Sequence, residues 1–217
     1  MVGRVEDFAD ERGQAAAEGL LQEVRSLSDM STAFLNFARP QPLQLEDVSL
    51  DELINECARE LRPLFQERRV ELTIETVSSA QPGERGSSPT VREGALEETQ
   101  RIDIQGDARM LRQALLNLVR NAAEAIEQEK TERRVTINLS TQTERGQRWA
   151  TVSISDTGHG VPEADLQRIF IPFFTTKSQG HGVGLALAHR VITEHGGTLT
   201  VANAAGDGAL FTIRLPQ

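Results

Sequence analysis

Cysteine is almost missing from this chain. Cys57 stands alone, so no internal disulfide can form, and the usage fits a reducing compartment. Lysine is nearly as scarce: 21 Arg stand against only two Lys, Lys130 and Lys177. No Gly-Lys pair occurs, which excludes the phosphate-binding loop that needs Gly-Lys followed by Ser or Thr. No apolar run approaches the length of a membrane span, and the first residues, Met-Val-Gly-Arg-Val-Glu-Asp, lack a secretory pattern. The expectation is a soluble, cytoplasmic segment, with any membrane anchor belonging to a longer protein. Positive charge is also short. A net charge of −9 argues against binding along a nucleic-acid backbone.

What is present points to a packed core. The chain of 217 residues has 38% hydrophobic and 25% charged residues, enough for one larger domain or one domain with an appendage. Its informative stretch runs from Ile154 to Ala186. Asp156 closes an alternating strand signal, and Gly158 and Gly160 let the backbone turn sharply behind it. Gly180, Gly182 and Gly184 then lead into an apolar-periodic run over 183–195. A glycine-rich loop feeding a helix N-terminus favours an anion such as a phosphate. An acid able to accept from an amine, followed by a phosphate cradle, describes a nucleotide site. The spacing Gly-x-Gly-x-Gly after a polar loop is not the dinucleotide fingerprint, which needs Gly-x-Gly-x-x-Gly directly behind a strand.

In chain order, Leu20, Val24, Leu27, Phe34 and their neighbours form an apolar helical seam that ends at Arg39-Pro40. It reads either as a helix on the domain's own core or as a stalk seeking partner helices. The Pro- and Gln-containing connector over 40–45 favours the stalk. A helix follows from Ser49 or Asp51, with Leu53, Ile54, Cys57, Ala58, Leu61 and Leu64 on its apolar face. Val70, Leu72, Ile74 and Thr76 alternate as a strand does. Residues 77–101 are rich in Ser, Gly, Pro and Glu and read as a flexible surface insertion without chemistry.

The spacing next predicts a short strand over 102–104 and a helix over 108–127 behind Asp107 as N-cap. Asn117 and Asn121 are four apart on one face of that helix. They are either polar residues at a solvated edge or a pair of carboxamides facing a cleft, able to hold hydrated Mg²⁺ and phosphates by oxygen. Strands over 135–140 and 149–155, a helix over 183–195, and a hairpin over 199–202 and 209–215 complete the pattern. The expected fold class is α+β: a two-layer sandwich of a mixed, mostly antiparallel sheet with helices on one face.

Four motifs, in order, carry a resemblance. Asn117-Leu-Val-Arg-Asn121-Ala, Asp156-Thr-Gly-His-Gly160, Phe170-Ile-Pro-Phe-Phe-Thr-Thr-Lys177 and Gly180-His-Gly-Val-Gly184-Leu resemble the N, G1, F and G2 boxes of sensor histidine kinases. Gly206-Asp-Gly208 with Phe211 resembles that family's closing glycine segment. The lid sequence is most similar to the nitrogen-regulation type. The resemblance covers roughly residues 46–217 as a catalytic ATP-binding domain, the fold shared with gyrase- and chaperone-type ATPases. Residues 20–45, with Leu-Asn-Phe-Ala-Arg-Pro at the helix end, resemble the second helix of the dimerization and phosphotransfer hairpin, so 1–45 is expected to be a stalk-helix region without the acceptor histidine.

That resemblance implies roles. Asp156 would accept the adenine amine, with Gly158 and Gly160 letting the base approach. Asn121 would ligate Mg²⁺, with Asn117 positioning the metal or phosphates. Lys177 and the amides near Gly182 and Gly184 would orient the phosphates of ATP. Phe173, Thr176, Val183, Leu185 and Thr212 complete the implied ATP-binding set, and Asn117 and Lys177 are the implied catalytic pair. Implied partners are a histidine-bearing helical hairpin, a response regulator and a second copy through the stalk helix. The departure is the acceptor. All four histidines, His159, His181, His189 and His195, lie after residue 158, so this chain is not expected to autophosphorylate. His195 reads as a helix-end residue beside the dipole. The alternatives are an ATP-hydrolysing relative, an anti-sigma serine kinase and a non-catalytic nucleotide-binding dimerization module. Hydrolysing relatives resemble the chain with a Glu base where it has Asn117.

Overall fold

The computed structural model describes residues 42–77, 101–177, 182–204 and 208–217. The stalk helix, Gly180, His181, Gly206 and Asp207 lie outside the described residues, as does the expected insertion over 77–101 apart from its ends: Val77 closes a strand and Arg101 pairs with Glu52. Residues 43–217 form one compact unit.

The first element is a clasp of which the sequence predicted only the second strand, as a short strand over 102–104. Strand β1 (Glu46–Ser49) pairs antiparallel with β3 (Asp103–Gly106). It is short and half polar, so it carries almost no periodicity of its own. Because the pairing is antiparallel, with Ser49 opposite Asp103 and Glu46 opposite Gly106, the two helices that follow these strands leave from opposite ends of one short ladder. Helix α1 (Leu50–Arg68) follows directly, burying Leu50, Leu53, Ile54, Cys57, Leu61 and Phe65. Asp51 Oδ2 accepts from the Ile102 amide at 2.9 Å, so an early residue of α1 is tied to the clasp. The helix stops where Arg69 turns left-handed at φ 54°.

Helix α2 (Ala108–Glu124) starts at Asp107, whose Oδ1 accepts from the Met110 amide at 3.0 Å. It is three residues shorter than the apolar pattern suggested, ending before Ala125. Helix α3 (Gly184–Glu194) packs beside it. The two are locked end to end by His195, which caps the C-terminus of α3 as expected and is buried. Its Nε2 accepts from the Asp107 amide at 2.9 Å, which leaves Nδ1 to donate to the Val191 carbonyl at 2.7 Å.

Behind the helices lies a mixed five-stranded sheet in the order β2-β4-β5-β7-β6. The strands are β2 (Glu71–Val77), β4 (Arg134–Glu144), β5 (Gln147–Asp156), β6 (Thr198–Asn203) and β7 (Ala209–Pro216). Only β2 and β4 pair in parallel; the other pairs are antiparallel. Strands β4 and β5 are longer than expected because Arg145 and Gly146 both take positive φ, making a two-residue hairpin turn. Ile137, Ile154 and Phe211 align in register and are buried, as are Leu139, Val152 and Ile213. The alternate row of Asn138, Ser153, Thr212 and Thr200 faces the other way. The expected architecture, a mostly antiparallel mixed sheet with helices on one face, is what forms.

Candidate nucleotide site

Everything in the site hangs on the end of β5. Asp156 is its last residue and is only 3% exposed. Oδ1 accepts from the Gly158 amide at 2.8 Å and from the Ala209 amide at 3.2 Å. Oδ2 is buried and has no hydrogen-bond partner. Burial pushes the carboxyl pKa up, and the two amides, His159 and Lys130 pull it only part of the way back. A buried carboxylate oxygen without a donor costs free energy, and at Asp156 a bound ligand's N–H would remove that cost.

The loop behind Asp156 is built for close approach. A side chain at Gly158 would lie 2.5 Å from the Ala125 carbonyl oxygen, at the end of α2. Gly208 has φ 119°, and a Cβ there would overlap the Asp156 carbonyl oxygen. Asn203 of β6 clamps the far side of the loop, accepting from the Val161 amide and donating to the Val161 carbonyl, both at 2.8 Å. Lys130 Nζ donates to the Gly158 carbonyl at 2.8 Å.

The second half of the site is the face of α2. Asn121 Oδ1 and Glu124 Oε2 meet Lys177 Nζ at 2.7 Å and 2.8 Å. Asn117 Nδ2 donates to the Gly184 carbonyl at 3.3 Å, tying α2 to the first turn of α3. Val183 occupies the N-cap position of α3 and makes no side-chain cap bond. The first amides of that helix therefore receive no capping oxygen from Val183, and uncapped amides at a helix start suit an anion.

Between the halves runs the segment from Val161 to Lys177. Arg168 lies over the Phe174 ring at 4.5 Å and pairs with Asp165 at 3.2 Å. Phe170 stacks against His189 of α3 with centroids 5.0 Å apart. Phe173, at φ 68°, donates its amide to the Gly182 carbonyl at 2.9 Å, while its ring is 45% exposed. Gly182 takes φ 64° and sits too close to Phe173 and Phe174 for any side chain.

The family model for histidine kinase-, DNA gyrase B-, and HSP90-like ATPases matches residues 106–217, which includes both halves of this site. The chain belongs to this ATPase family. Among curated relatives, sensor histidine kinase ZraS of Escherichia coli (strain K12) is 30% identical over 200 residues, covering 92% of this chain and 37% of ZraS. The chain thus spans under two-fifths of that relative's length. Of solved structures, the catalytic domain of histidine kinase ThkA in a nucleotide-free form is similar at TM-score 0.60 and 26% identity, over 80% of this chain and 95% of that one. Full-length ShkA, solved in complex with AMPPNP, shares the fold at TM-score 0.64 and 24% identity, over 90% of this chain and 36% of ShkA.

Within this ATPase domain most sequence-derived positions converge. Asp156, Gly158 and Gly160 line one end; Asn117, Asn121, Lys177, Gly182, Val183 and Gly184 line the other. Leu185 packs against the core from the first turn of α3, and Thr176 is exposed in the segment beside Lys177. Thr212 is not brought in. It pairs with Ser153 and Thr200 on the face of the sheet opposite the buried Phe211 row. Its neighbour Phe211 is apolar and fully buried, so strand alternation alone turns Thr212 outward. Four contributors were not foreseen: Ala209, Asn203, Lys130 and Glu124. Ala209 acts through a backbone amide, for which no side-chain signature exists.

Proposed function

We propose that this chain is the ATP-binding catalytic part of a sensor histidine kinase, transferring the γ-phosphate of Mg²⁺-bound ATP to a histidine on a helical hairpin. The single observation that carries the reading is the buried, unpartnered Oδ2 of Asp156 at the base of a glycine-lined loop. The exocyclic amine of adenine is the donor it fits. Asn121 offers an oxygen suited to a hard cation, and its present partner is a cation, the Lys177 ammonium. Mg²⁺ would supply charge neutralisation of the phosphate chain; the chain's own residues position that phosphate. Lys177 and the unblocked start of α3 orient it, and Asn117 fixes α3 against α2.

Transfer to a protein suits this site better than hydrolysis. Asn117 is a carboxamide that cannot serve as a base, and its side chain is engaged with Gly184 and Gln113. The described histidines are poor acceptors. His159 Nδ1 is bonded to the Gly160 carbonyl, His189 is stacked on Phe170, and both nitrogens of His195 are used. With these three histidines engaged and His181 set between glycines in the sequence, the proposed acceptor lies on another helix or chain, and a response regulator receives the phosphate onward. The reduced, buried Cys57 fits a cytoplasmic setting for this ATP-dependent step.

The deciding experiment is calorimetric titration with a non-hydrolysable ATP analogue, with and without Mg²⁺, on wild type and Asp156→Ala. Saturable, Mg²⁺-dependent binding that the substitution removes is the expected result. Binding unaffected by Asp156→Ala would overturn the assignment. A labelled-phosphate assay with a supplied histidine-bearing hairpin then separates transfer from mere binding.

A further inference from the structure

Asn121 and Glu124 are three residues apart on α2, on one face, and their oxygens converge on a single positive charge. That charge is the Lys177 ammonium, 2.7 Å from Asn121 Oδ1 and 2.8 Å from Glu124 Oε2. An ammonium held by a carboxamide oxygen and a carboxylate oxygen stands in for a metal cation. Building on the nucleotide reading above, we propose that Glu124 is a second oxygen ligand of the nucleotide's divalent cation, beside Asn121.

Charge supports this over a passive ion-pair role. Glu124 and Lys177 are each about one-third exposed, at 31% and 37%, so the pair is weakly held and exchangeable. A carboxylate one turn from Asn121 would repel a phosphate chain if nothing positive lay between them. A divalent cation taking the two oxygens removes that repulsion and frees the ammonium for the phosphates. One carboxylate, one carboxamide oxygen, phosphate oxygens and water make a set that Mg²⁺ accepts. The site thus exchanges one cation for another, and the lysine moves from the helix to the nucleotide.

The test compares AMP, which needs no metal, with AMP-PNP in Mg²⁺ or in chelator, by calorimetry, with Mn²⁺ uptake followed by electron paramagnetic resonance. Wild type should gain about tenfold or more in AMP-PNP affinity from Mg²⁺. Glu124→Ala should bind AMP as wild type does, lose most of that gain, and take up less Mn²⁺ in the nucleotide complex. The same loss should appear when Glu124→Ala is made in a Lys177→Met background. A full Mg²⁺ gain in Glu124→Ala would overturn the proposal. So would a loss seen only when Lys177 is present, or a loss of AMP binding, since either makes Glu124 a support for its neighbours. Wild type failing to bind AMP would instead defeat the nucleotide reading, and the ligand assignment with it.

Discussion

The Ala209 amide lies 3.2 Å from Oδ1 of Asp156, joining the first residue of β7 to the last residue of β5. With the Gly158 amide on the same oxygen, it fixes the carboxylate so that Oδ2 alone is left for a ligand. The site's recognition is therefore set by backbone as much as by side chain.

Replacing Asp156 by Asn should separate stability from binding. The variant keeps an oxygen for both amides and removes a buried charge. Because the folded carboxyl's pKa is raised, Asp156 contributes stability below its ordinary pKa that is lost as pH rises through the raised value. Asp156→Asn should melt higher than wild type at pH 7, with the difference shrinking in acid. Nucleotide affinity should fall about ten- to a hundredfold. Melting curves across pH, beside calorimetry, check both halves.

Gly208 allows no substitute. Gly208→Ala would force a Cβ onto the Asp156 carbonyl oxygen at φ 119°, so it should cost about 1–3 kcal/mol and weaken nucleotide binding through the Ala209 amide. Gly146→Ala, at φ 84° in open space, should cost about 1 kcal/mol and leave binding alone. Equal effects of the two on affinity in denaturant and titration experiments would refute this.

Asp107 caps α2 and accepts from the Met110 and Gln44 amides. Its burial alone would raise the carboxyl pKa, but those amides, Arg109 and His195 together outweigh it and hold it below the ordinary value. The sign is opposite to that of Asp156. Its stabilisation is present above the unfolded carboxyl pKa and disappears as pH falls through the lowered folded value. Asp107→Ala should lose about 1–2 kcal/mol at neutral pH, and the gap to wild type should close in strong acid. A gap that widens toward low pH in urea melts would contradict the assignment.

Thr212→Val should leave nucleotide affinity unchanged, because the side chain lies on the sheet face away from Phe211. A tenfold loss in titration would return Thr212 to the site.

The glycines and asparagines were readable because each is locally unfavourable where it stands. Two Asn inside an amphipathic helix need a cleft, and clustered Gly before a helix needs an anion. The fold class followed from strand alternation and helical periodicity. Strand β1 and its pairing with β3 did not, because four half-polar residues carry no period; β3 itself lies where a short strand was expected. Glu124 was hidden for the opposite reason: a charged residue near the end of a helix is ordinary, and only its meeting with Lys177, distant in sequence, marks it. Thr212 could have been excluded by counting parity from Phe211.

Both amines that the chain's lysines supply lie on the site, Lys130 at the Gly158 carbonyl and Lys177 at Asn121 and Glu124. With 21 Arg carrying the rest of the side-chain positive charge, an acylating reagent selective for primary amines has no side-chain target elsewhere in the sequence. Labelling read at Lys130 and Lys177, apart from any at the chain's own α-amine, is therefore a footprint of the proposed nucleotide site, one residue for each end.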